Sequence, residues 1–219
     1  MRDPFAIPYK DLPSGLIVFP LPGALLLPNG RLPLNIFEPR YINMVEDALG
    51  EQRLIGMVQT RDPYEGLVPE GSDLFEVGCA GRIVSFAETA DGRFMLTLEG
   101  VCRYRIVNEL EGRRGYRRMK VDFSSFKDDL LDTDWRLDRE TFLPTLRRYF
   151  EARGIGVEWK AIEAAPDHLL IASLGMMCPF DLKEKQALIE APTVADMAEL
   201  MRSLMDMATL GIEQSSAKH

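Results

Sequence analysis

The stretch from Phe19 to Val45, FPLPGALLLPNGRLPLNIFEPRYINMV, constrains the fold more than any other part of the chain. Leu25, Leu26 and Leu27 form a short apolar run that is stopped by Pro28-Asn29-Gly30, residues with turn chemistry. Leu32, Leu34 and Ile36 then alternate with Arg31, Pro33 and Asn35, the period of a half-buried strand. At Glu38-Pro39 the pattern changes. Proline is tolerated in the first helical turn, where its missing N–H would have had no partner. Tyr41, Val45, Ala48 and Leu49 follow at helical spacing up to Gly50, which is expected to sit just past the helix end. The stretch therefore reads turn, strand, turn, strand, helix, with Phe37 and Tyr41 expected to close onto the strands.

The rest of the chain divides by pattern. Gly15–Phe19 and Arg53–Gln59 read as strands, and Thr60–Asp73 is a long loop rich in proline, glycine and charge. Strand character resumes at Leu74 and persists to Phe123. Asp91-Gly92 between Ile83–Ala87 and Phe94–Leu98 is a hairpin signal, because both residues tolerate positive φ. A second hairpin is expected to pair Val101–Leu110 with Tyr116–Phe123 across residues 111–115. From Ser124 the composition turns acidic and aperiodic. From Asp138 onward the periodicity is helical, with a break or kink expected at Pro144. Thr193 with Asp196 three residues on is an N-cap pattern for a final helix whose apolar stripe is Val194, Met197, Met201, Leu204 and Ala208.

Composition removes several function classes. Apolar residues make up 46% and charged residues 27%, which allows a real core. No apolar run approaches the roughly 20 residues that cross a bilayer. The N-terminal segment, broken by Pro4, Pro8 and Pro13, lacks the continuous apolar region of a signal peptide, so a cytoplasmic location and no membrane partner are expected. Cys79, Cys102 and Cys178 are odd in number and far apart, which fits buried thiols in a reducing compartment and neither a disulfide framework nor a metal site. The net charge is −8, and residues 121–219 carry 18 acids against 11 bases. Such a chain repels nucleic acid unless a local patch overrides the average. No phosphate-cradling GK[ST] loop and no GxSxG elbow occurs, so no catalytic residue, metal or cofactor is expected.

The motif FPLP…LPLNIFEPRY resembles the opening signature of the Lon protease substrate-binding (N-terminal) domain family. Pro179-Phe180 followed by Glu184-Lys185-Gln186-Ala187-Leu188-Ile189-Glu190 is similar to that family's PF…EKQ helical motif. The resemblance covers roughly Gly15 to Leu210. It implies an α+β fold: a β-rich PUA-like pseudo-barrel lobe with one helix over residues 1–123, a connection over 124–137, and a helical bundle lobe over 138–219. It also implies non-catalytic binding of unfolded or apolar polypeptide, either directly or as an adaptor for a protease or chaperone. The ATPase and peptidase modules of full-length Lon proteases are not expected in this chain. The oligomeric state is open.

Three sets of residues are candidate sites. Leu25, Leu26 and Leu27 are candidates for an exposed apolar patch, since three consecutive apolar residues cannot all face one side of a strand. Met205 and Met207 are further polypeptide-binding candidates, because they fall off the apolar stripe of the last helix and methionine suits promiscuous apolar recognition. The alternative is an RNA-binding module on the hairpin 103–120, which holds seven bases against Glu109 and Glu111 with Tyr104 and Tyr116 interleaved; Arg113, Arg114, Arg117 and Arg118 would contact phosphates. Glu38, Arg40 and Tyr41 are expected to be structural, with Glu38 capping the helix and Tyr41 packing inward.

Overall fold

The computed structural model describes residues 7–64, 66–131 and 134–216, with side chains through Ile212. Asp132 and Thr133 of the expected connection lie outside the described residues. Six strands come first: β1 (Gly15–Pro20), β2 (Arg31–Ile36), β3 (Leu54–Val58), β4 (Val77–Glu88), β5 (Phe94–Arg113) and β6 (Tyr116–Asp122). Helix α1 (Pro39–Gly50) lies between β2 and β3. A 3₁₀ segment, Ser124–Leu130, leads to α2 (Arg139–Arg153), α3 (Trp159–Ala164), α4 (Asp167–Met177), α5 (Leu182–Glu190) and α6 (Val194–Ser216).

The fold is α+β, with a mixed sheet ordered β2-β5-β4-β3-β1-β6 and a further β5–β6 pairing that closes β5, β4, β3, β1 and β6 into a ring. Closure is possible because β5 is long. Its first half pairs with β2 and β4, and its second half with β6, with register shifts that bend it at Ile106/Asn108. Among the described strands only β1 and β3 run parallel. Strand β2 is left outside the ring, attached among the described residues to β5 alone. The buried residues of the sheet and of the helices form one continuous apolar cluster, from Leu16 on β1 to Met205 on α6.

Several local features follow the sequence directly. The second hairpin turns at Arg114-Gly115, both at positive φ (49° and 89°), a two-residue turn tighter than expected. Helix α2 runs unbroken through Pro144, with Asp138 accepting from the Thr141 N–H at its start and Gly154 left-handed at its end. Thr193 and Asp196 bond reciprocally at the start of α6, Asp196 N–H to Thr193 Oγ1 and Thr193 N–H to Asp196 Oδ2, both at 3.1 Å. Gly50 is still helical. The chain reverses instead at Arg53, at φ 60°, whose N–H donates to the Ala48 carbonyl at 2.9 Å.

Candidate functional site

Leu25, Leu26 and Leu27 are buried and do not form a surface patch. They are not a strand. They form an extended strap wedged between the sheet and α4, so consecutive side chains are covered from different sides. A Cβ on Gly81 of β4 would lie 2.5 Å from Leu26 Cδ2, one on Gly100 of β5 would lie 2.0 Å from the Leu27 carbonyl oxygen, and one on Gly175 of α4 would lie 2.8 Å from Leu27 Cδ1. The glycines are what let the strap sit this deep.

The second motif fastens the helices to the sheet. Asp181 and Glu184 form a capping box at the start of α5. Lys185 Nζ donates to the Gly23 carbonyl at 2.7 Å. Gln186 is buried; it donates to the Val77 carbonyl at 3.2 Å and accepts from Gln59 at 3.0 Å. Arg103, counted among the hairpin bases in the sequence, is also buried, facing the helices: it pairs with Asp129 and donates to the carbonyls of Ile189 and Ala191 at the α5 C-terminus, where the helix dipole favours a cation.

Glu38 occupies the N-cap position of α1, but its carboxylate makes no cap bond and pairs with Arg40 at 2.8 Å instead. Arg40 also lies over the Tyr41 ring and donates to the Val68 carbonyl at 2.7 Å, while Arg117 donates to the Ser72 carbonyl at 2.6 Å. These two arginines hold down the loop between Thr60 and Asp73 over a cavity of about 20 Å³, room for a single water. Tyr41 packs inward against Phe19, with ring centroids 4.4 Å apart. Phe37 does not close onto the strands; it is 57% exposed.

Three of the four arginines offered for phosphate contacts are paired within the molecule. Arg113 pairs with Asp47 and Glu51, Arg114 with Glu46 and Asp47, and Arg117 with Glu109. The carboxylates of Glu46 and Asp47 on α1 and of Glu51 just past its end were not matched to the hairpin by the sequence reading. Burial opposes ionisation of Asp47, but hydrogen bonds from Tyr116 and Arg114 and the nearby guanidinium charges outweigh it and hold the carboxyl below its usual range. Arg118 has no carboxylate partner among the described residues and borders an open groove of about 310 Å³ beside Glu51 and Gln52.

The three thiols are buried and free. Burial, reinforced by Asp129, pushes the Cys102 thiol up to about 12; burial likewise pushes Cys178 to about 12 against the opposing charge of Lys185. Neutral thiols of this kind are neither nucleophiles nor ready metal ligands. No cluster of three metal-ligating side chains occurs among the described residues, and no described helix is long and apolar enough to cross a membrane.

Several large apolar side chains are exposed among the described residues, Met177, Leu131 and Leu67 among them, and two groups pair such side chains on one face. Met205 is in neither group: it is fully buried, because Met197, Met201 and Met205 step every fourth residue along the buried side of α6, where Met201 Cε comes within 3.3 Å of a Cβ built on Gly175 of α4. Met207 is 69% exposed and shares an outward face with Leu210. The other surface was missed in the sequence. On the outer face of the sheet Met95 of β5 lies between Asn35 of β2 and Ala87 of β4, with Phe37 one step beyond β2. Phe37 and Met95 are both exposed, with Arg93 5.8 Å from the Phe37 ring centroid. Strict alternation would have put Phe37 on the side of Asn35, opposite Ile36, and that was the available signal.

The architecture is an α+β ring of strands, with one strand outside it and a helical lobe latched on by a PF…EKQ helix. The family model for the ATP-dependent protease La (LON) substrate-binding domain matches residues 15–207, and the chain belongs to that family. The matched region is the substrate-binding domain and not a catalytic domain. The chain is 31% identical over 122 residues to Lon protease 2 of Myxococcus xanthus, covering 56% of this chain and 14% of that protein. It is 28% identical over 195 residues to the Lon protease of Syntrophus aciditrophicus, covering 88% of this chain and 23% of that protein. It thus spans under a quarter of the length of these relatives. The fold is similar to the crystal structure of a Lon N-terminal domain protein from Xanthomonas campestris, at TM-score 0.61 and 20% identity over 86% of this chain and 97% of that one.

Proposed function

We propose that this chain binds unfolded or apolar polypeptide segments without chemistry of its own, and that it does so on the outer sheet face around Phe37 and Met95. Membership of the substrate-binding family supplies the class of ligand. The observation that carries the location is the pair of exposed apolar side chains on one face at the β2–β5 end of the sheet, rimmed by charges that cancel locally: Arg31 with Glu99 at 2.8 Å and Arg93 with Asp91 at 2.9 Å. A neutral rim with an apolar centre favours capture by apolar burial over charge steering. In this reading the domain works in the cytoplasm, where its thiols stay reduced, and delivers clients to a protease or chaperone. Met207 on α6 is a second, smaller contact. The RNA alternative has less support, because three of its four arginines already have carboxylate partners.

The test is fluorescence anisotropy of the protein with a labelled, permanently unfolded polypeptide and with labelled single-stranded RNA, each at low and high salt. The expected result is polypeptide binding that changes little or strengthens with salt, and that Phe37→Ser with Met95→Ser weakens about tenfold or more while the melting temperature is unchanged. RNA binding that falls steeply with salt, with no polypeptide binding, would overturn this reading.

A further inference from the structure

We infer that β2 is a docking edge, on which an extended apolar segment of client polypeptide pairs as an added strand beside Phe37; this rests on the polypeptide-binding reading above. The Gly100 N–H donates to the Gly30 carbonyl at 2.9 Å, so the 30/100 pair belongs to the hydrogen-bonded set of the antiparallel ladder. Alternation along the register then makes Leu32/Leu98, Leu34/Leu96 and Ile36/Phe94 the bonded pairs. The backbone groups of Arg31, Pro33 and Asn35 consequently point away from β5. All three residues are exposed, and among the described residues nothing bonds to their outward backbone groups. Pro33 occupies a position where a missing N–H costs the ladder nothing. The free edge offers two donors, at Arg31 and Asn35, and three carbonyl acceptors.

Main-chain groups in a row at strand spacing recognise extended backbone and not a helix. They would recognise any such backbone, including a second copy of β2, and Pro33 distinguishes the two. If two β2 strands paired antiparallel about their centres, Pro33 would face Pro33 and neither would supply a donor there. A client with an ordinary residue at that rung brings its own N–H to the Pro33 carbonyl. The edge is thereby biased toward foreign strands. Continuity with the apolar face sets the preferred client. Alternate residues of an added strand share the face of Asn35 and Phe37, so a segment with apolar residues at every second position buries them against Phe37 while its backbone pairs with Arg31 and Asn35. Few hydrogen bonds are made, which suits capture that must be reversible.

The probe is a fluorescein-labelled nine-residue peptide with apolar residues at alternate positions, read by anisotropy and by amide hydrogen exchange of the protein. Binding is expected to protect the Arg31 and Asn35 amides. Asn35→Pro removes one outward donor and is expected to weaken binding about fivefold, the equivalent of one net hydrogen bond. Pro33→Ala adds a donor and is expected to tighten binding by a similar factor, and methylating alternate peptide amides is expected to abolish it. A melting curve checks that Asn35→Pro folds, and Pro33→Ala stands as the independent arm. If both variants and the methylated peptide bind as the unmodified pair does, while Phe37→Ser still weakens binding, the edge inference fails and the apolar-face reading stands. If the peptide and the unfolded polypeptide do not bind the native protein at all, the polypeptide-binding reading fails with it.

Discussion

Arg103 and Asp129 meet in a two-toothed ion pair, Nη2 to Oδ1 at 2.8 Å and Nε to Oδ2 at 2.9 Å, with both side chains nearly excluded from water. The same guanidinium lies over Phe126 and donates to carbonyls at the end of α5, so one side chain joins β5, the 3₁₀ segment and the helical lobe. Removing it leaves Asp129 and the α5 carbonyls buried and unmatched. Arg103→Ala is expected to destabilise the protein by about 3–5 kcal/mol, measured by urea unfolding. Arg103→Lys should recover little of that, because an ammonium cannot reproduce the planar fork.

The strap makes a second prediction. A methyl at position 100 would collide with the Leu27 carbonyl oxygen, a backbone atom fixed between the sheet and α4. Gly100→Ala is therefore expected to cost about 3 kcal/mol, at the upper end of overpacking penalties, whereas Gly92→Ala, whose Cβ meets nothing within 4 Å, carries only the strain of its φ of 77°. Comparison of the two unfolding midpoints separates collision from backbone strain.

Leu26→Asp tests the same element from the opposite direction. A surface patch would tolerate a carboxylate. Leu26 is 1% exposed, so the variant is expected not to fold cooperatively, seen as loss of near-UV circular dichroism and of a sharp melting transition.

What could be read from the sequence was whatever has a short period or a local cap. Alternation at Leu32–Ile36 and Phe94–Leu98, the Thr193–Asp196 cap and the glycine after Arg114 specify their elements within a few residues, and the split into a strand-rich half and a helical half followed from such patterns, while the fold class came with the family resemblance. Burial of three consecutive leucines could not be read, because it depends on glycines 81, 100 and 175, which lie far away in sequence. The hairpin arginines look like a phosphate-binding patch until α1 folds against them, since their partners Glu46, Asp47 and Glu51 are more than 60 residues away. Met205 was misassigned for a smaller reason. A stripe drawn with mixed three- and four-residue steps drifts off the true contact line, which here follows four-residue steps.

Acid should loosen the sheet and the helical lobe through two carboxylates. Asp47, despite its partial burial, is held below the usual 3.8 by Tyr116 and the guanidinium groups of Arg113 and Arg114. Asp167, also opposed by burial, is held below 3.8 by the Leu137 N–H and by Arg139. A carboxyl whose folded pKa is depressed stabilises the fold above its unfolded value, and that stability disappears as pH falls through the folded value. Stability is therefore expected to be flat from pH 7 down to about 5 and to decline below about 4. Asp47→Asn should lower stability at pH 7 and flatten the acid decline, measured as urea midpoints across pH 2.5–7.

The apolar groups at Phe37 with Met95 and at Met207 with Leu210 make different predictions about binding. Met207 and Leu210 stand on the outward face of α6, each more than half exposed and without the flanking open strand edge that accompanies Phe37. Replacing both with serine removes nothing from the core, and unfolding stability is expected to stay within about 0.5 kcal/mol of the parent. Affinity for the labelled unfolded polypeptide is expected to fall less than twofold, against tenfold or more for Phe37→Ser with Met95→Ser. The reverse ranking, measured in one anisotropy series with all variants checked for intact melting curves, would move the contact surface from the sheet to the last helix.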